Sequence, residues 1–223
     1  MIRAIDRADI TGVILCGGGA RRMEGVEKAL QPLGGLPLVA HVQARLSPQV
    51  GRVIVSANRA SGMYAQWATT VLADDVLDGG PLAGIATALR CAISPFLFCC
   101  PGDAPFLHET LVDRLATAVT LHDADIAIPH DGERDQHLFA LIRSAEYTSL
   151  VAYLDSGERA VHGWLAGRRV VTVDASDIAS HFVNINTVEQ LAAASTAVRD
   201  AHSSMIADVL QRNSFKHPTV EHQ

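Results

Sequence analysis

Clustered positive charge is the first thing this sequence lacks. Its 223 residues carry 18 Lys and Arg against 24 Asp and Glu, a formal net charge of -6, and a protein that coats nucleic acid needs Lys and Arg in excess to neutralise phosphates. Long polyanions are excluded as partners, whereas a small basic pocket for one nucleotide is not. Long apolar runs are missing as well. No stretch approaches the ~18 apolar residues of a membrane span, and the first ten residues, MIRAIDRADI, hold two Asp where a signal peptide requires an apolar core. The expectation is a cytoplasmic protein that engages neither membrane nor nucleic acid. Cys16, Cys91, Cys99 and Cys100 form no CxxC pair and stand in no metal spacing with a histidine, and the ten histidines contain no HxxxH or HExxH arrangement. Reduced, buried thiols are expected. The chain also has no internal repeat and no linker, so one domain is expected.

What is present is a core-forming composition, 48% apolar and 19% charged, arranged in alternating strand and helix patterns. Strands are read at 11–16 (TGVILC), 52–58 (RVIVSAN), 69–74 (TTVLAD), 95–100 (PFLFCC), 125–129, 137–142, 168–173 (RRVVTV) and 182–186 (FVNIN). Helices are read at 37–46, 81–93, 108–121, 144–154 and 158–166, with a last one beginning at Thr187. This alternation predicts an α/β fold, a Rossmann-like and mostly parallel sheet with helices on both faces, whose ligands gather at the carboxyl ends of the strands. The polar stretch after about residue 211 is expected to be mobile.

The chemistry is concentrated at those strand ends. Directly after the first strand comes LCGGGARRMEGVEK, residues 15–28. Its three glycines bring backbone N–H groups close to phosphate oxygens, and Arg21 or Arg22 with Lys28 supply cations for a triphosphate. It is neither a GxxxxGK[ST] loop nor a GxGxxG loop. Asp103 lies beyond the apolar strand at 95–100, where a carboxylate at the end of a central strand suits Mg²⁺ held together with substrate phosphates. The competing reading of Asp103 is a cap on the helix at 108–121. Asp74 and Asp75 begin a loop and compete with each other for a nucleotide contact or a helix cap. Asn58 ends the second strand, as a base or ribose contact or as a turn residue. Asn184 and Asn186 flank Ile185 and would share one face if 182–186 is a strand, while Thr187 caps the following helix. Arg159 is either a phosphate contact or an exposed helix arginine.

The run at 15–28 resembles the LxGGxxxRMGxxK signature of molybdenum cofactor guanylyltransferases, within the molybdopterin nucleotidyltransferases. VIVSAN ending at Asn58, VLAD ending at Asp74, GGPLAG at 79–84, FLFCCPGDAP with Asp103, HDGERD at 130–135 and FVNINT at 182–187 keep the order of that family. The resemblance covers residues 11 to about 193. It implies one nucleotidyltransferase domain over 1–193, with a nucleotide half over about 1–106 and an acceptor half over about 107–193; residues 194–223 lie beyond the resemblance and are expected to form a helical C-terminal extension and mobile tail. It implies transfer of GMP from GTP to molybdopterin or molybdenum-molybdopterin with Mg²⁺, and transient contact with proteins that supply the cofactor or receive it. The site residues carried over are Leu15, Cys16, Gly17, Gly18, Lys28, Asn58, Asp74, Gly80, Pro81, Leu82 and Asp103 for the nucleotide, Arg159, Asn184 and Asn186 for the acceptor, Arg22, Lys28 and Asp103 for catalysis, and Asp103 for the metal. LCGG in place of LAAG, together with the GPLAG run, favours guanine over cytosine within the resemblance. The rival readings are a cytidylyl or sugar-phosphate nucleotidyltransferase and a non-catalytic nucleotide or cofactor carrier. Glu24, Cys16 and the pair Gln136 and His137 depart from the family pattern.

Overall fold

The computed structural model describes residues 4–17, 27–59, 61–75 and 79–196. In chain order it contains β1 (Ile10–Leu15), a ribbon of β2 (Pro32–Leu33) and β3 (Leu36–Pro37), α1 (Leu38–Leu46), β4 (Arg52–Ser56), α2 (Ser61–Tyr64), β5 (Thr70–Leu72), α3 (Gly80–Cys91) and β6 (Phe96–Pro101). There follow α4 (Leu111–His122), β7 (Ile126–His130), β8 (Ala140–Arg143), α5 (Tyr147–Asp155), α6 (Val161–Leu165), β9 (Val170–Asp174) and a 3-10 segment over Ser176–Phe182. Residues 188–196 are helical.

Seven strands form one sheet in the order β5-β4-β1-β6-β8-β7-β9. All neighbours are parallel except β8, which is antiparallel to both β6 and β7. The fold is therefore the mostly parallel, helix-covered α/β sheet that the alternation predicts. Period-two burial explains the two layers. Ile10 and Ile14 of β1, Val53 and Val55 of β4, and Phe96, Phe98 and Cys100 of β6 enter one apolar cluster with α1 and α4. Their sequence neighbours Val13, Leu15, Ile54, Leu97 and Cys99 enter a second cluster with α3, α5 and α6. A one-residue slip would exchange these sets, so packing on both faces pins the register.

Beside the short helix α2 and the 3-10 segment, which the sequence reading did not include, two departures bear on the site. The ribbon of β2 and β3 was not expected; Gly34 and Gly35 both have positive φ, 59° and 92°, which is the two-residue turn that joins short antiparallel strands. Conversely, 182–186 is not a strand. Residues 183–186 carry no ladder, because Ile185 is drawn instead into a small apolar cluster with Leu33 and Leu38 and its N–H donates to the Asp103 carbonyl at 2.8 Å. Asn184 and Asn186 thus share no strand face.

Candidate active site

Strands β4, β1 and β6 end side by side because their hydrogen bonding continues past the strands themselves. Cys16 N–H donates to the Ser56 carbonyl at 2.8 Å and Gly102 N–H to the Leu15 carbonyl at 2.9 Å, while Ala57 N–H donates to Leu72 in β5 at 2.8 Å. The order reverses between β1 and β6, since β4 and β5 lie to one side of β1 and β6 to the other. A crevice at such a switch point is where parallel sheets bind ligands. Leu15, Cys16 and Gly17 lead into it from β1, and Asp103 leads into it from β6.

Asn58 and Asp74 form one unit there. The Asp74 carboxylate accepts from Ser56 Oγ at 2.7 Å and from Asn58 Nδ2 at 2.9 Å, while Asp74 N–H donates to Asn58 Oδ1 at 2.7 Å. Both ends of the Asn58 amide are engaged by Asp74. Gly80, Pro81 and Leu82 form the first turn of α3; Leu82 is fully buried, so its side chain serves the core. Asp75, the rival of Asp74, is held in a bidentate pair with Arg90 at 2.9 and 3.0 Å, and its N–H donates to Thr87 Oγ1. This commits Asp75 to α3.

Asp103 is half-buried, and among the described residues no other side chain donates to its carboxylate. Burial pushes the carboxyl above the ordinary range, and the nearby Lys28 ammonium pulls it partly back. Helix α4 begins at Leu111 with Thr110 as its N-cap, so Asp103 does not cap it. Lys28 stands in a 3-10 turn, Lys28–Leu30, and its Nζ donates to Asn186 Oδ1 at 3.0 Å. Asn184 Oδ1 is buried and has no hydrogen-bond partner among the described residues. Thr187 does cap the last helix: its Oγ1 accepts from Gln190 N–H at 3.2 Å. Arg159 lies in the turn between α5 and α6, where its Nη1 donates to the carbonyls of Leu154 and Glu158, both at 2.7 Å. Gly18 and Arg22, together with Arg21, Glu24 and the tail after 196, lie outside the described residues.

The sequence reading missed Ser56, Glu27 and Tyr64. The Tyr64 hydroxyl donates to Glu27 Oε2 at 3.3 Å from a fully buried side chain. Burial, with Asp103 and Glu27 close by, holds the Cys16 thiol far above its ordinary range, which leaves it neutral and unsuited to nucleophilic attack. Ser56 and Glu27 lie within the runs at 53–58 and 15–28 and Tyr64 in neither, but the contacts of Ser56 with Asp74 and of Tyr64 with Glu27 arise only through the tertiary fold.

A family model described as a MobA-like NTP transferase domain matches residues 12–178. The chain belongs to that family. Among its relatives in the MobA-like family is a molybdenum cofactor guanylyltransferase of Cupriavidus metallidurans, 44% identical over 193 residues, covering 84% of this chain and 95% of the relative. Another of that name, from Shewanella loihica, is 40% identical over 192 residues, covering 85% and 97%. Solved structures share the MobA-like fold. A molybdopterin-guanine dinucleotide biosynthesis protein A from Archaeoglobus fulgidus superposes with a TM-score of 0.71 at 23% identity, covering 85% of this chain and 99% of that one. A 2-C-methyl-D-erythritol 4-phosphate cytidylyltransferase from Thermus thermophilus gives 0.64 at 17% identity, covering 84% and 98%.

Proposed function

We propose that this chain transfers GMP from GTP to the terminal phosphate of molybdenum-molybdopterin, giving the guanine dinucleotide cofactor and pyrophosphate. The observation that carries the reading is the Asp103 carboxylate, half-buried at the β1/β6 switch point with Lys28 beside it and no competing side-chain donor among the described residues. The names of the 40–44% identical relatives support the donor and the acceptor.

The residues fit Mg²⁺ of the kind that nucleotidyl transfer uses. No group of three or more His, Cys, Asp or Glu among the described residues could cage a metal, and Mg²⁺ asks for no cage, since one or two carboxylates and substrate phosphates suffice. Asp103 would hold it. When bound, the ion offsets charge on the α-phosphate and on the leaving pyrophosphate. The chain's own work is positioning: the glycine run after β1 is assigned to the phosphates on its sequence, Lys28 adds a point charge beyond the α-phosphate, and the acceptor phosphate attacks in line. No protein nucleophile takes part. Arg22 joins the phosphate contacts on its motif position alone. Asn184 and Arg159 are assigned to the acceptor by family likeness alone.

The test is release of pyrophosphate from GTP, Mg²⁺ and purified molybdopterin, with CTP and ATP as alternative donors. GTP is expected to be strongly preferred, and equal turnover with CTP overturns the guanine assignment. Asp103→Asn is expected to keep most nucleotide affinity yet lower turnover ~10²-fold, the scale of loss when a charge-stabilising group is removed from a dry site. Near-normal turnover in that variant overturns its role.

A further inference from the structure

We propose that Asn186 is a positioning residue for the donor triphosphate as well as an acceptor contact, because its single amide joins the two subsites through Lys28. The inference rests on the reading of the site given above. Lys28 has only protons to give, so the Asn186 atom facing it at 3.0 Å is the oxygen, and that fixes which way the amide points. Asn186 Nδ2 is thereby turned away from Lys28, with no hydrogen-bond partner among the described residues, and is free to donate to an acceptor oxygen.

The amide is well placed to steer Lys28 because its own backbone is held on both sides. Asn186 N–H donates to Gln190 Oε1 at 2.7 Å, and the same oxygen accepts from Thr187 N–H at 3.1 Å while Gln190 N–H returns to Thr187 Oγ1, a reciprocal cap on the last helix. On the other side the buried Ile185 is tied by its N–H to the Asp103 carbonyl. The anchor therefore runs from the last helix, through Asn186, to Lys28 and, through Ile185, to the main chain of Asp103. A lysine ammonium has three donors, so one bond to Asn186 leaves two for phosphate oxygens, and a lysine already held loses less freedom when the triphosphate arrives. An acceptor that orders the Asn186 amide then favours GTP, and by linkage GTP favours the acceptor equally.

A double-mutant cycle on Lys28 and Asn186, read by calorimetric titration of GTP and GMP with Mg²⁺, tests this. Asn186→Ala should weaken GTP roughly threefold, the size of one net hydrogen bond, and leave GMP nearly unchanged. In the Lys28→Ala background the same substitution should cost GTP nothing further. Unchanged GTP affinity in Asn186→Ala, or losses that simply add, overturns the proposal. A parallel loss of GMP also overturns it, since Asn186 would then merely support the fold. Asn186→Ala should raise the apparent constant for molybdopterin with or without Lys28, and an unaltered constant removes the shared amide. If the protein binds CTP instead of GTP, the guanine reading fails while the cycle, run with CTP and CMP, still decides the coupling.

Discussion

Gly84 carries no side chain for a reason that lies in the strand end it packs against. A Cβ there would stand 2.5 Å from Ser56 Oγ and 3.3 Å from Asp74 Oδ1, the two atoms whose hydrogen bond shapes the donor side of the crevice. Ser56 is buried and cannot swing into solvent. Gly84→Ala should therefore cost about 1–3 kcal/mol of stability, the usual penalty of overpacking, and weaken GTP as Asp74 moves; an unfolding curve and a titration on one preparation check both. The sequence made Gly84 visible as part of GGPLAG but not its reason, because the clash involves a residue 28 positions earlier. Asp103 was visible for the opposite reason: an apolar strand that ends in a carboxylate announces itself locally. The pairing of Asn58 with Asp74 and of Lys28 with Asn186 needs loops that only the closed sheet brings together.

The connection between β7 and β8 is held by one carboxylate. Asp131 Oδ1 accepts the N–H groups of Glu133 and Arg134 at 2.9 and 2.8 Å, and its Oδ2 accepts from Gln136 Nε2 at 2.5 Å. The Arg134 and Glu133 main-chain bonds, ahead of the other contacts, hold its carboxyl at about 2. Because that lies below the unfolded value of ~3.9, the stabilisation is fully present above pH ~4 and fades as the pH falls through about 2. Asp131→Ala should lower stability by about 1 kcal/mol near neutrality, with the gap to wild type closing towards pH 2; denaturant titrations at several pH values measure it. A gap independent of pH would assign the effect to packing. Gln136, one of the departures from the family pattern, is thus a structural member of this turn. Its N–H also donates to the Pro129 carbonyl at 2.8 Å. Elsewhere the regular elements were legible from period and length, and the misreading of 182–186 has a physical cause. Two asparagines around one isoleucine imitate strand alternation, yet that isoleucine is recruited by the Gly34–Gly35 ribbon, and neither partner of the contact can be inferred from the other.

The two tryptophans report on opposite layers: Trp67 packs against the cluster under α1 and α4, and Trp164 is buried in the cluster under α3, α5 and α6. The two clusters share the strands between them, so both layers should melt as one cooperative unit. Single-tryptophan proteins carrying Trp67→Phe or Trp164→Phe should each show a fluorescence midpoint that coincides with loss of far-ultraviolet ellipticity; separated midpoints would mean that the layers unfold independently. That one sheet would be shared was legible from the unbroken strand–helix alternation. The place of β8 was not, since a strand inserted between β6 and β7 after both have been made leaves no mark on either. Its insertion has a consequence for any shortened version of the chain. Until residues 140–143 arrive, the outer edge of β6 offers the main-chain groups of Phe96, Leu97, Phe98 and Cys99 with nothing to pair them, and an unpaired apolar edge is a template for other chains. A piece that stops short of β8 holds every donor-side group from Leu15 to Asp103 and yet is built to aggregate, so the triphosphate grip cannot be separated from the strand that shields it.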